Sequence, residues 1–238
     1  SLRNFLGGLP NKCLATNYVA CSKEAGKFMF GKKDFFIARN GIEVKDYKYN
    51  TTIRNKLRDY YNVQQKIVIG HIGNFLPTKN HSFLINIFNE LYKQNKDFVL
   101  FLIGEGPLES KIKHDIAEKN LSTAVNFLGF CDNINELLQM FDVLILPSKN
   151  EGFGIVAVEA QASGLRCFVS DKFSNEVKVT NYIDFLDLND TPEEWAKYII
   201  DNINYSRLDQ SENLIKLGYD SSITAHDLEK FYLNILRK

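Results

Sequence analysis

The stretch PSKNEGFGIVAVEAQASG, residues 147–164, gathers the residue types that a phosphorylated ligand needs. Gly152 and Gly154 have no Cβ and let backbone approach a ligand closely. A helix is expected to open just after them, and the first N–H groups of a helix are unpaired, lie at its positive end and suit a phosphate. Glu151 precedes that helix and Glu159 lies about one and a half turns inside it, so carboxylates flank the position. Carboxylates are poor phosphate ligands but good acceptors for sugar hydroxyls. Together these parts describe a site for a nucleotide sugar. A glycine-rich turn with Glu159 solvated on a helix face accounts for the same spacing equally well, and spacing alone leaves both readings open.

Other chemistry-bearing residues form weaker patterns. Gly104-Glu105-Gly106 is a lone G-x-G, and Glu109 occupies the position where a dinucleotide fingerprint needs glycine, so a turn at a strand end is the simpler reading. His71 lies inside an apolar run and reads as a satisfied core histidine, while His81, His114 and His226 fall on expected helices. Cys13, Cys21, Cys131 and Cys167 contain no C-x-x-C pair and no histidine at zinc-ligand spacing, which points to ordinary thiols in a reducing compartment. Phe130 and Cys131 close a short strand and are candidates to line a base pocket or simply to pack.

The elements that position these residues are legible from the apolar pattern. Six short runs rich in β-branched and aromatic residues occur at 66–73, 98–104, 124–130, 142–148, 165–171 and 182–188. They are continuous more than alternating, as strands buried on both faces are. Helical stretches are expected between them at 81–94, 107–119, 133–140, 154–163 and 192–203, with another at 223–237; in the first, Leu84, Ile87, Phe88 and Leu91 make one stripe. The alternation predicts an α/β fold with a Rossmann-like doubly wound parallel sheet, whose ligands bind at the carboxyl ends of the strands. Before residue 47 the pattern differs: a strand at 17–22, a helix reaching Phe30, a strand at 35–39 and a turn at Asn40-Gly41.

Bulk composition excludes several classes. The 238 residues are 45% apolar and 24% charged, ordinary for a globular protein. Twenty-nine basic residues balance 29 acidic ones, so the chain has no dominant field for nucleic acid or an anionic membrane. No apolar run approaches the ~18 residues of a membrane span, and the N-terminus lacks the plan of a signal peptide.

The nine residues EGFGIVAVE resemble the E-x7-E motif of retaining glycosyltransferases with the GT-B fold, especially family 4, the group 1 type. IARNGIEV is similar to the linker before that family's C-terminal domain, and IGNFLPTKNHSFLI to its diphosphate-binding loop. FLIGEGPLESKI, VNFLGF and VLILPS follow in the family's order. The resemblance implies a division into 1–46, the tail of an N-terminal acceptor domain and linker, and 47–238, a nucleotide-sugar-binding domain that includes the C-terminal helix. It also implies a preceding domain of ~150 residues.

Carried over by position, the resemblance gives Glu159 the ribose hydroxyls and Glu151 a hydroxyl of the donor sugar, with Glu151 and Lys79 as the catalytic pair. Gly152 and the backbone of Phe153, Gly154 and Ile155 meet the sugar and diphosphate, and Lys79, beyond Gly73 and Asn74, neutralises the diphosphate as it leaves. The donor is expected to be a UDP-sugar, with no metal and no separate cofactor. The reaction is expected to be hexosyl transfer to an acceptor hydroxyl with retention, in bacterial surface-polysaccharide synthesis, in the cytoplasm or at the inner face of the membrane. The partners are the donor and a sugar or lipid-linked sugar acceptor; no nucleic acid is involved.

Two departures from the family pattern stand out. Asn74 occupies the position of the family's arginine in G-R-x4-K, so one cation is missing. Arg166 stands where the family usually has proline, but it opens its strand ~13 Å from the carboxyl end, too far to compensate. Asn74 and the absent acceptor half keep a catalytically impaired nucleotide-sugar-binding subunit open as an alternative, alongside a GT-B sugar-nucleotide epimerase. A glycosidase also uses paired carboxylates, but the glycine loop between them argues against it.

Overall fold

The computed structural model describes residues 15–237, and the chain divides into two units. The smaller contains the described residues up to Glu43 and those from Leu214 onward. It begins with β1 (Val19–Ala20), α1 (Lys23–Phe30) and β2 (Phe36–Ile37), the two strands pairing in parallel. Ser22 caps α1 by accepting the Ala25 N–H at 3.0 Å. Asn40-Gly41 does not form the expected turn. Ile42 instead bridges to Asp220, and a Cβ on Gly41 would stand 2.8 Å from the Ser221 Cα, so the glycine serves close approach.

The larger unit runs from Val44 to Asn213. A 3₁₀ turn (Val44–Tyr47) leads to α2 (Thr51–Tyr60), β3 (Ile67–Ile72), α3 (His81–Gln94), β4 (Phe98–Ile103), α4 (Glu109–Glu118) and β5 (Val125–Gly129). Then come α5 (Ile134–Met140), β6 (Val143–Leu146), α6 (Ile155–Ala162), β7 (Arg166–Ser170), β8 (Ile183–Leu186) and α7 (Pro192–Asn202). A short α8 (Ser211–Lys216) spans the border, and α9 (Ser221–Leu236) belongs to the smaller unit. The larger unit thus begins at Val44, and α9 falls in the smaller one.

All six expected strands form one parallel sheet in the order β5-β4-β3-β6-β7-β8. β4 and β6 are buried along their whole length, as continuous apolar runs require. α3 seals one face with Leu84, Ile85, Ile87, Phe88 and Leu91, which join α7 residues Trp195, Ala196 and Ile199 in the core. Burial stabilises each large apolar side chain by roughly 1.5–3 kcal/mol, and Leu84→Ala would cost about 2–5 kcal/mol.

In α2, Ile53 and Leu57 are only half-buried, and arginines anchor the helix. Arg54 donates to the carbonyls of Gln139, Met140 and Phe141 at 2.9–3.1 Å, and Arg58 to that of Met140 at 3.0 Å. These carbonyls lie at the negative end of α5, where cations are favoured. Both guanidiniums also pair with Asp142 at the entrance to β6.

Strand order reverses at β3, which has β4 on one side and β6 on the other. At such a switch point the loops leaving the two central strands part to opposite faces and open a crevice at their carboxyl ends. Here those loops are 73–80 and 147–154.

Candidate functional site

The loop after β3 is held by the segment after β4. Gly73 donates to Ile103 at 2.9 Å, Phe75 to Glu105 at 2.8 Å, and Leu108 back to Phe75 at 3.2 Å, all through backbone. A Cβ on Gly104 would fall 2.3 Å from the Gly73 carbonyl oxygen, and one on Gly106 2.7 Å from that of Phe75. The G-x-G pattern therefore serves the packing of this loop. Asn80 takes a left-handed φ of 59° after the 3₁₀ turn Pro77–Lys79, and the Lys149 N–H reaches the Thr78 carbonyl at 2.7 Å. That bond ties the two crevice loops together.

Across this join Lys79 Nζ meets Glu151 Oε2 at 2.5 Å, with Ser148 Oγ donating to the same oxygen at 3.4 Å. Both side chains are mostly buried, 26% and 16% exposed. Asn74 is exposed on the same loop, and Gly73 lies under the Lys79 stem, its Cβ position 3.3 Å from Lys79 Cδ. Gly152 is exposed, with nothing within 4 Å of where a Cβ would stand. Phe153 is buried, and Ile155 opens α6. Gly154 has φ 74°, and a Cβ there would strike the Phe173 ring at 2.3 Å. As the N-cap of α6 it offers no side chain to the first amides of the helix.

Glu159 is not solvated on an outer face. Tyr47 Oη donates to its Oε1 at 2.7 Å. Burial raises the Glu159 carboxyl above the usual range and the Tyr47 bond opposes that rise; the Tyr47 phenol is itself pushed far up, by burial first and then by Glu159. The Tyr47 turn is anchored on α5, where Gln139 Nε2 reaches the Tyr47 carbonyl and Asn135 Nδ2 that of Asp46, each at 3.3 Å.

Behind Lys79 lies a pair the sequence did not announce. His71 and His81 are buried with rings 4.7 Å apart, edge to face, and Phe75 sits 4.8 Å from His81. His71 Nδ1 is bonded to the Ile145 carbonyl at 2.8 Å, but its Nε2 and both His81 nitrogens are buried without a partner. His71 is therefore only half satisfied. Burial, reinforced by His81, lowers His71 to about 3, and burial followed by the Lys79 charge lowers His81 to about 4. Both rings are neutral at ordinary pH.

The remaining candidates lie elsewhere. Arg166 pairs with Asp184 at 2.8 Å at the start of β7, away from the crevice. Phe130 is 72% exposed beyond β5, two strands from β3. Gln161, missed in the sequence, is fully buried in α6 and binds the Val177 carbonyl and the Val179 and Thr180 amides, fixing the segment behind Phe173. A polar residue inside an apolar helical run was the available signal. Among the described residues no cluster of three or more His, Cys, Asp or Glu could hold a metal ion, and no helix is long and apolar enough to cross a membrane.

Known proteins resemble this chain in sequence and in fold. Over 217 residues the chain is 34% identical to the putative glycosyltransferase EpsF of Bacillus subtilis (strain 168), covering 87% of this chain and 56% of EpsF. It is 30% identical over 132 residues to the UDP-Gal:α-D-GlcNAc-diphosphoundecaprenol α-1,3-galactosyltransferase of Escherichia coli, covering 53% of this chain and 34% of that one. The chain thus spans about half or less of the length of these relatives. Anabaena Alr3699/HepE, solved in complex with UDP and glucose, superposes with a TM-score of 0.80 at 20% identity, over 96% of this chain and 66% of that one, and so shares the fold. The model of the family described as glycosyl transferases group 1 matches residues 53–220, from α2 past the last strand of the sheet. With a match over that span, the chain belongs to the group 1 glycosyl transferases.

Proposed function

We propose that the larger unit holds the nucleotide-sugar donor, a UDP-sugar, for a hexosyl transfer with retention of the family 4 kind. The acceptor hydroxyl is presented by a domain preceding this chain. The observation that carries the reading is the Lys79–Glu151 pair at the switch point, beside the uncapped start of α6. An ammonium has three donors, so Lys79 turns toward the diphosphate while Glu151 accepts a sugar hydroxyl and Glu159 the ribose. As UDP departs, charge gathers on its terminal phosphate, where Lys79 and the α6 amides are already in place. That countercharge comes from protein groups, so the reading calls on no metal ion. The name of the Escherichia coli relative and the ligands bound to Alr3699/HepE support a UDP donor. A lipid-linked sugar acceptor in surface-polysaccharide synthesis belongs to the same reading, supported by the diphosphoundecaprenol acceptor in the name of the Escherichia coli relative.

Calorimetric titration with UDP, UDP-glucose and uridine tests the reading. Measurable binding of the two diphosphates, with uridine at least tenfold weaker, supports a diphosphate site; equal affinities for all three contradict it. Asn74 favours a second reading, a binding subunit that no longer catalyses transfer. A single-turnover assay on a chain that includes the preceding domain separates the two.

A further inference from the structure

Glu159 is half-buried on α6, and the one hydrogen bond its carboxylate receives from a described residue comes from Tyr47. A phenol carries one proton, and here it is directed to Oε1. The second carboxylate oxygen receives none from any described residue. Tyr47 reaches Glu159 across 112 positions of sequence, from a turn bonded to α5 at the Tyr47 and Asp46 carbonyls. The carboxylate on α6 is thus held by a residue that α6 does not carry.

We propose that Tyr47 is a positioning residue for the nucleotide: by taking one oxygen of Glu159 it fixes the carboxylate plane and presents the other oxygen to the ribose diol. The proposal rests on the reading that Glu159 receives the ribose. It also gives the first turn of the larger unit, Val44–Tyr47, a share in nucleotide affinity without contact to the nucleotide. A second consequence concerns charge. Burial raises the Glu159 carboxyl and the Tyr47 bond is the force opposing it, so Tyr47 keeps the acceptor ionised to lower pH. Asp46 raises the Tyr47 phenol further.

The test compares UDP with 2′,3′-dideoxy-UDP, which lacks the diol, on the wild-type chain, Tyr47→Phe and Glu159→Ala. Tyr47→Phe removes one oxygen and keeps the ring. It is expected to weaken UDP roughly 5–10-fold, to leave the dideoxy analogue unchanged, and to move the acid limb of UDP binding to higher pH. Equal weakening of both ligands, or of neither, overturns the proposal, because a packing role would not distinguish the diol. Glu159→Ala is expected to abolish the preference for UDP over its dideoxy analogue. If that preference survives in Glu159→Ala, the assignment of the ribose to Glu159 fails, and the role of Tyr47 fails with it. If it is abolished while Tyr47→Phe behaves as wild type, only the role of Tyr47 fails.

Discussion

Lys79 Nζ and Glu151 Oε2 stand 2.5 Å apart, closing an ion pair between loops that leave two neighbouring strands of the sheet. The cation assigned to the diphosphate and the carboxylate assigned to the sugar therefore neutralise one another before any donor arrives. Each is mostly shielded from water, so removing one partner strands the other charge.

That pairing predicts opposite effects for its two members. Lys79→Ala should weaken UDP and UDP-sugar alike, by roughly 10–100-fold for the loss of a charge-assisted bond to phosphate. Glu151→Ala should weaken the UDP-sugar but leave UDP no weaker, and tighter where the freed ammonium turns fully to the phosphate. Titration of both ligands against both variants measures this; equal losses in all four cases would refute the division of roles.

Asn74 is exposed on the crevice loop and brings no charge. Asn74→Arg should tighten UDP by up to about 1.5–3 kcal/mol if the guanidinium reaches the phosphates, and the gain should shrink with added salt. An unchanged dissociation constant would locate the phosphates away from this loop.

The histidine pair makes stability fall in acid. In the unfolded chain both rings titrate near ~6.5, whereas in the folded chain burial holds His71 near about 3 and His81 near about 4. Between those values the unfolded chain binds protons that the folded chain does not. Stability from this source is complete above pH ~6.5 and is lost on acidification, at up to ~1.4 kcal/mol per pH unit for each ring. The raised Glu159 carboxyl acts in the opposite sense. Urea melts at pH 7, 6 and 5 should show the decline, and His81→Phe should reduce its slope; an unchanged slope would mean that His81 does not contribute.

Asp142 is shared by Arg54 and Arg58 and also accepts the Val68 N–H at 2.7 Å. Asp142→Ala leaves two largely buried guanidiniums without a countercharge and should cost about 3–5 kcal/mol. Chemical denaturation measures it, with a loss under 1 kcal/mol as the contrary result.

The sheet was legible because its six strands are buried on both faces and write continuous apolar runs. α2 was not, because its anchoring face is Arg54 and Arg58, whose role appears only when the carbonyls of α5 are brought beneath them. Asn40-Gly41 was misread since glycine serves close approach as well as turns. Lys79, Glu151 and Glu159 could be singled out by spacing and resemblance, and the fold brings Lys79 and Glu151 into contact. Tyr47 and His81 were invisible as site residues, because their partners lie far off in sequence or on another element.

In the proposed function a nucleoside diphosphate sits between the loops after β3 and β6. Backbone amide shifts of the isotope-labelled chain on addition of UDP test it most directly. The largest changes are expected at Gly73, Asn74, Lys79 and residues 152–157, with loss of those changes in Lys79→Ala. Shifts confined instead to the opposite end of the sheet, around Arg54, Arg58 and Asp142, would overturn this reading.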